Sequence, residues 1–357
     1  MRINKYTLTA VNKIKKGMAS VLSDPNKKNN TQIIKEFISL WVSNKTLPTH
    51  YFSRFLYRKE FVNYKNYIST PQYYKMILSD KVQNEFFVNV LENKLLFSFF
   101  CEKNALPTPK LISYNSGKYF YWDQKSKTIN SNSELIDFFN EIFNKCNILN
   151  IFIKSISEKG GTGIFFVEKN GLEKQIHKIG SKILAGSFIH EKTLTQHEKI
   201  NEIYHKSINS LRFDICLDKN NQAQLLGAVM RFGSGGSVID NRSKGGFFVS
   251  IDDATGCLLK KGYGQMVFGG IELTEHPDTR FIFEGFKIPF YEESKQLALE
   301  ASNTIKNKII GWDIAINANG PIIIEGNHNS NITMTEVNNG GYLNHPLIKE
   351  LIDSSNN

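Results

Sequence analysis

The chain has 357 residues, 41% of them apolar and 22% charged, with a formal net charge of +10. These proportions exclude global disorder, and the length exceeds one typical domain, so two or three subdomains around a sizeable core are expected. No apolar run approaches the ~18 residues of a membrane span, the polar, Lys-rich start lacks a secretory h-region, and the 4 cysteines contain no Cys-x-x-Cys pair, which points to a reducing cytoplasm.

The positive charge is concentrated at the start, where residues 1–100 hold 16 Lys or Arg against 6 Asp or Glu. Ile3, Val11, Ile14, Met18, Val21 and Leu22 recur at helical spacing beside Lys13, Lys15 and Lys16. That pattern suits a solvated helix packed on the body, or a basic amphipathic helix for an anionic membrane surface or an acidic partner. No nucleic-acid-binding motif accompanies the charge, so no nucleic-acid partner is expected. Residues 1–90 read as a helical, aromatic-rich region with connectors at Asp24-Pro25-Asn26 and Thr70-Pro71. From Glu92 a helix through Asn93, Lys94 and Phe97 runs to Ala105-Leu106-Pro107, a strand follows at 110–114, and a helix capped by Ser or Asn spans 131–143, giving a small α/β subdomain over 91–150. Strands at 151–156, 163–167 and 187–191 mark the next stretch, 151–205. The last, 206–357, contains a β region over 211–286, a helix over 291–307 and a hairpin at 311–327.

That hairpin carries two acids. If Ala318, Asn319 and Gly320 form a three-residue loop with Gly320 left-handed, Asp313 lies opposite Glu325 with Asn327 two residues along. Opposed like charges destabilise a strand pair, so either the face is solvated or something positive sits there; two carboxylates and an amide oxygen suit Mg²⁺ or Mn²⁺. Upstream, Lys154 stands on a strand before the loop Lys159, Gly160, Gly161, Thr162, Gly163. The absence of a Gly-Lys-Ser/Thr ending and of a following helix excludes a Walker A loop. The glycines are either an ordinary tight turn or a nest of backbone N–H groups for phosphate, with Lys154 adding a point charge. A strand ending at Glu191 could bring a carboxylate to an adenine edge. Asn209, Arg212 and Arg231 flank a glycine-rich connection, 233–246, and could clamp a phosphoryl group or a substrate carboxylate; alternatively Arg212 pairs with a structural acid. His190, His197 and His205 lack metal-ligand spacing and read as structural or surface residues.

The order Asn93-Lys94, Lys154 with its glycine hairpin, Glu191 with Gln196-His197, Asn209 with Arg212, Arg231, Asp240-Asn241 with Gly245-Gly246, Asp313 and Glu325-Gly326-Asn327 resembles the ATP-grasp superfamily. Within it the pattern is most similar to the sugar-transfer-associated ATP-grasp proteins, over about residues 51–342, with the first 50 residues outside. The resemblance implies an α+β ATP-grasp fold, two α+β lobes enclosing a nucleotide, here preceded by a basic, mainly helical N-terminal region. It implies ATP with Mg²⁺ or Mn²⁺: Lys154 at the phosphates, Glu191 at the adenine hinge, and Asp313, Glu325 and Asn327 at the metal. Lys94 matches a helix-start position whose role differs among members. The implied activity is ADP-forming ligation of a small-molecule carboxylate to an amine through an acyl phosphate, with a sugar acid or amino acid destined for a surface polysaccharide. A small-molecule or sugar kinase using the same ATP site, and a non-catalytic nucleotide-binding module docked on a membrane-associated glycan assembly through the basic N-terminus, are the alternatives. The expected location is cytoplasmic, with peripheral membrane contact through that N-terminus.

Overall fold

The computed structural model describes residues 19–158, 163–237, 240, 245–265 and 270–356. The basic helical pattern from Ile3 to Met18 therefore lies outside the described residues. The chain forms two compact units, the smaller comprising Asn89–Thr195 with Ile322–Glu325 and the larger the remainder.

Helices α1 (Asn30–Asn44), α2 (His50–Ser53), α3 (Thr70–Ile77) and α4 (Glu85–Glu92) open the chain. Capping fixes two of their starts: Asn29 accepts from the Gln32 N–H, and Ser69 from the Gln72 N–H. Thr70-Pro71, expected as a connector, thus begins a helix, because a first-turn proline gives up no helical hydrogen bond. The helix expected to run through Asn93 is split there. Asn93 sits at φ −103° and ψ 106°, and its side chain accepts from the N–H groups of Leu95 and Leu96 to start α5 (Lys94–Lys103).

In the smaller unit follow β1 (Leu111–Ser116), β2 (Tyr119–Trp122), β3 (Lys125–Thr128), α6 (Asn132–Cys146), β4 (Asn150–Ser155), β5 (Ile164–Glu168), α7 (Leu172–Ala185) and β6 (Ser187–Lys192). The sheet order is β3-β2-β1-β6-β4-β5, antiparallel throughout. Phe120, Ile153 and Phe188 from the sheet pack with Leu135, Phe139 and Ile142 of α6 and with Ile176 and Ile183 of α7 in one core. The stretches 91–150 and 151–195 share that core.

The larger unit continues with α8 (Glu198–Ile203), β7 (Leu211–Leu217), β8 (Ala223–Phe232), β9 (Phe247–Asp252), β10 (Cys257–Gly264), β11 (Glu272–Leu273), α9 (Tyr291–Thr304), β12 (Ile309–Asn317), β13 (Gly320–Asn327), α10 (Thr333–Asn338) and α11 (Pro346–Asn356). Its sheet runs β11-β10-β9-β8-β7-β12-β13. Every residue of β7 is buried, so the two faces of this strand define two compartments. On one, Phe213 and its cross-strand partner Trp312 meet α9: the Trp312 indole N–H donates to Ser302 Oγ at 2.7 Å. On the other lie Arg212, Asp214 and Cys216. At the Cys216 end, Tyr73, Met76 and Ile77 of α3 pack with Ile309 and Tyr342, while Tyr51, Phe55 and Tyr57 pack with Val229, Phe248 and Tyr263. The helical N-terminal region is therefore part of this unit's core, tied by an Arg58–Glu272 pair at 3.3 Å and a buried Arg54–Glu336 pair. Among the described residues no helix is long and apolar enough to cross a membrane.

Candidate active site

In the smaller unit, β4 and β6 pair with Lys154 opposite Ile189. Glu191, two residues farther, shares Lys154's face, as the period of two in a strand requires. Lys154 Nζ lies 2.8 Å from Glu191 Oε2, and the two side chains are 10% and 7% exposed. The intervening His190 points into the opposite face, its Nδ1 2.7 Å from Ser113 Oγ, and burial pushes its imidazole down to about 3. His190 is thus a core residue. His197, in turn, caps α8, its Nδ1 accepting from the Lys199 N–H at 3.2 Å. Lys94 donates through Nζ to the Glu158 carbonyl at 2.6 Å and through its backbone N–H to Ile156 at 3.0 Å, at the root of the glycine loop. Gly163 closes that loop at φ +63°, and its carbonyl accepts from the Ser155 N–H at 2.9 Å. A Cβ there would come within 2.6 Å of Glu158 Oε2 and 2.8 Å of Ser155 Cβ, so this position requires glycine. Lys159, Gly160, Gly161 and Thr162 lie outside the described residues.

In the larger unit, Arg212 and Arg231 converge on Asp313. Arg212 stands directly opposite Asp313 on β7, with its Nε 2.5 Å from Oδ1, and Arg231 of β8 brings Nη2 to 2.9 Å from Oδ2. The positive charge expected beside Asp313 is therefore supplied by two guanidinium groups. Arg231 is itself held. Its Nε and Nη2 donate to Ser210 Oγ at 3.0 and 2.6 Å, the Ser210 hydroxyl donates to Asp240, and Arg231 Nη2 lies 3.5 Å from Asp240 Oδ2. Burial raises the Asp240 carboxyl above its ordinary value, against the lowering effect of Arg231 and the Ser210 hydrogen bond.

Asp214, on the same face two residues past Arg212, is fully buried and accepts from Ser330 Oγ at 2.5 Å and Thr335 Oγ1 at 2.6 Å; burial raises its carboxyl too. Gly311 lies opposite Asp214, and a Cβ there would fall 2.1 Å from Ser330 Oγ. Asn209, by contrast, is spent on the backbone: its Nδ2 donates to the Tyr204 carbonyl at 2.6 Å, its N–H donates to Gln196 Oε1 at 2.6 Å, and its Oδ1 accepts from Ser207 and the Gly233 N–H. The connection after β8 is pinned at its root by His276 Nε2 at 3.0 Å from the Gly233 carbonyl, and by the Gly235 N–H donating to Asp278 at 2.7 Å.

At the metal end, β12 and β13 are separated by Ala318 and Asn319 alone. Gly320 already belongs to β13, with φ +128°, so the loop is one residue shorter than expected. Asp313 is buried, whereas Glu325 and Asn327 are half-buried; Asn327 Nδ2 lies 3.5 Å from the Gly311 carbonyl. Among the described residues no group of three or more His, Cys, Asp or Glu side chains is arranged to hold a metal. Asp313, Glu325 and Asn327 are each oxygen-bearing side chains, the ligand type that Mg²⁺ takes together with water and substrate phosphates.

The sugar-transfer associated ATP-grasp family model matches residues 74–350. The chain belongs to this family. The match begins at Tyr74, so much of the N-terminal helical region of this ATP-grasp protein precedes it. A comparison with curated proteins gave no match. Among solved structures, D-alanyl-alanine synthetase A from Vibrio cholerae is similar at 11% identity and a TM-score of 0.45, covering 77% of this chain and 68% of that one. N5-carboxyaminoimidazole synthetase from Staphylococcus aureus in complex with ADP matches at 12% identity and 0.41, covering 71% and 48%. The ATP-grasp ligase PsnB with minimal precursor, Mg and ADP matches at 14% and 0.41, covering 77% and 62%. The chain thus spans between 48% and 68% of the length of these structures.

Proposed function

We propose that this ATP-grasp protein is an ADP-forming carboxylate–amine ligase. The observation that carries the reading is the Arg212–Asp313–Arg231 cluster: two guanidinium groups fixed by one buried acid, in a chain of the sugar-transfer associated ATP-grasp family. A substrate carboxylate oxygen attacks the γ-phosphorus, a C–O–P bond forms, and the P–O bond to ADP breaks with its electron pair leaving on ADP. An amine nitrogen then attacks the carbonyl carbon, phosphate departs carrying the C–O electron pair, and the amine proton leaves with it. No side-chain nucleophile is required. Arg212 and Arg231 offset charge that develops on the transferred phosphoryl group and on the departing phosphate. Asn209 holds the strand entry that carries Arg212. In the other unit, Lys154 and Gly163 with its loop serve the phosphates, Glu191 the adenine edge, and Lys94 fixes the loop's root.

Asp313, Glu325 and Asn327 would hold Mg²⁺ or Mn²⁺, which neutralises phosphate oxygens when bound. The family's association with sugar transfer supports a carboxylate or amine partner linked to a sugar, and we extend the proposal to a surface polysaccharide assembled on the cytoplasmic side of a membrane.

Thermal unfolding with a non-hydrolysable ATP analogue, with and without Mg²⁺, tests the site in the wild type and Glu325→Ala. At about 100 times its Kd the analogue adds roughly 2.7 kcal/mol of stability. Mg²⁺-dependent stabilisation that weakens in the variant supports the reading; absence of any nucleotide response removes its basis. Release of AMP and pyrophosphate would exclude the acyl phosphate, and a stable phosphorylated product formed without amine would identify a kinase.

A further inference from the structure

Helix α1 is apolar on two faces. Ile33, Phe37 and Leu40, with the buried Glu36, face the protein body. Ile34, Ile38, Trp41 and Val42 face away from it, with exposures of 59%, 50%, 51% and 73%. Their spacing of four, three and one places them on one stripe of the helix, about a third of a turn from the buried stripe. Leu22 and Leu47, just before and after the helix, are exposed as well. A helix that is apolar on both faces needs a second partner, and exposed patches of this kind mark interaction surfaces.

The charges around the stripe select the partner. Residues 1–47 hold nine Lys or Arg and two acids. Both acids are buried and satisfied. Asp24 pairs with Arg58 and accepts from the Tyr57 hydroxyl, and Glu36 pairs with Lys28 and accepts from the Tyr51 hydroxyl and Gln32. Lys35 and Lys45, beside the stripe, are exposed. Within this segment the exposed stripe is therefore apolar, and the exposed charges are all cations. A second copy of the chain would bring lysines against lysines. Residues 1–18, which carry Arg2, Lys5, Lys13, Lys15 and Lys16, share the same sign.

We propose that the Ile34–Ile38–Trp41–Val42 face of α1 inserts into the surface of an anionic lipid bilayer. Apolar side chains including an interfacial Trp enter the headgroup boundary while Lys35 and Lys45 meet lipid phosphates, the combination that drives peripheral binding. The inference does not rest on the ligase reading and holds whether or not ATP is turned over.

The test is co-sedimentation of the full chain with vesicles of phosphatidylcholine and phosphatidylglycerol in a 3:1 ratio, against phosphatidylcholine alone. Fluorescence is read in parallel, since Trp312 is fully buried and Trp122 packs partly buried against the smaller unit's core, while Trp41 is half-exposed. Binding to the anionic vesicles with a blue shift of the emission is expected. Ile34→Ser/Ile38→Ser/Trp41→Ser should lower the partition coefficient at least tenfold, and Lys35→Glu/Lys45→Glu should lower it at low salt. None of these side chains belongs to the core cluster that α1 joins, so both variants should stay folded with a thermal midpoint close to that of the wild type. Failure of the wild type to bind, equal binding by the triple variant, or dimerisation through this face without lipid would overturn the proposal.

Discussion

Replacing Lys154 by Met tests the charge pair of the smaller unit apart from any chemistry. At 2.8 Å, and with an effective dielectric constant of about 20, the Lys154–Glu191 attraction is about 6 kcal/mol. Withdrawing both charges from water offsets most of it, so the net contribution of the intact pair to stability is small. Removing only the lysine leaves Glu191, with 7% of its side chain exposed, as a buried anion without its cation. That costs about 3–5 kcal/mol. The double variant Lys154→Met/Glu191→Leu removes both charges and should lie within about 1 kcal/mol of wild type. Urea unfolding at fixed pH, with the slope checked for constancy between variants, reads these differences. Nucleotide-induced stabilisation should be weakened in both variants, separating binding from folding. A single variant destabilised by less than about 1 kcal/mol, or a double variant as unstable as the single one, would refute the buried-pair reasoning.

Gly311→Ala places a methyl 2.1 Å from Ser330 Oγ and 2.9 Å from Asp214 Oδ1; overpacking beside a buried acid should cost about 1–3 kcal/mol, read as a lowered urea midpoint. Ser210→Ala removes the hydroxyl that receives two N–H groups of Arg231. It should lower kcat about tenfold, or about 1.4 kcal/mol of barrier, with little change in KM for ATP; an unaltered kcat would show that Asp313 alone holds the guanidinium. His190 and His50 are pushed down by burial, to about 3 and about 4. Their neutral forms therefore contribute stability that is complete above pH 6.5 and lost as pH falls toward those folded values, by about 1.4 kcal/mol for each histidine between pH 7 and 5.5. His190→Leu should flatten that slope by half, as measured by urea unfolding at the two pH values.

Much of the secondary structure was legible where a local signal was strong. A Ser or Asn cap near residue 131 announced α6, and the Glu134 N–H indeed donates to Ser131 Oγ at 3.2 Å. Apolar alternation around an Asn-Gly turn announced β12 and β13, and a strand, glycine-rich loop, strand pattern announced β4 and β5. The β2–β3 hairpin was not read because its turn is Asp123-Gln124, two non-glycine residues at φ +49° and +58°, where an Asn-Gly signal would be expected. Helix α7 was hidden by Gly171 at its N-cap, which provides no capping side chain, and by Gly180 within it.

At the site, the chemical types of Lys154, Glu191, Arg212, Arg231 and Asp313 could be named from the sequence, but their pairings could not. Arg212 and Asp313 are 101 residues apart, and only strand order brings them together. Ser210 and Asp214 were missed for the same reason: each matters through a partner farther along the chain, Arg231 for Ser210 and Ser330 for Asp214. Asp214 alone left a local trace, sharing a strand face with Arg212 two residues away.

Strand β7 finds β8 at once but must wait for β12, and this delay shapes how the protein is made. At about 5–20 residues per second, a ribosome needs about 5–20 s to travel from Arg212 to Asp313. During that interval one edge of a strand that ends wholly buried has no neighbour, the condition under which nascent chains pair wrongly with one another. Arg212 meanwhile carries its charge beside the forming core without the acid that will hold it. Chaperone dependence should therefore peak while residues 218–309 are being synthesised and fall once β12 emerges. Locking of the two arginines around Asp313 is then one of the late events of biogenesis, so competence for the proposed phosphoryl chemistry arrives only with a finished sheet.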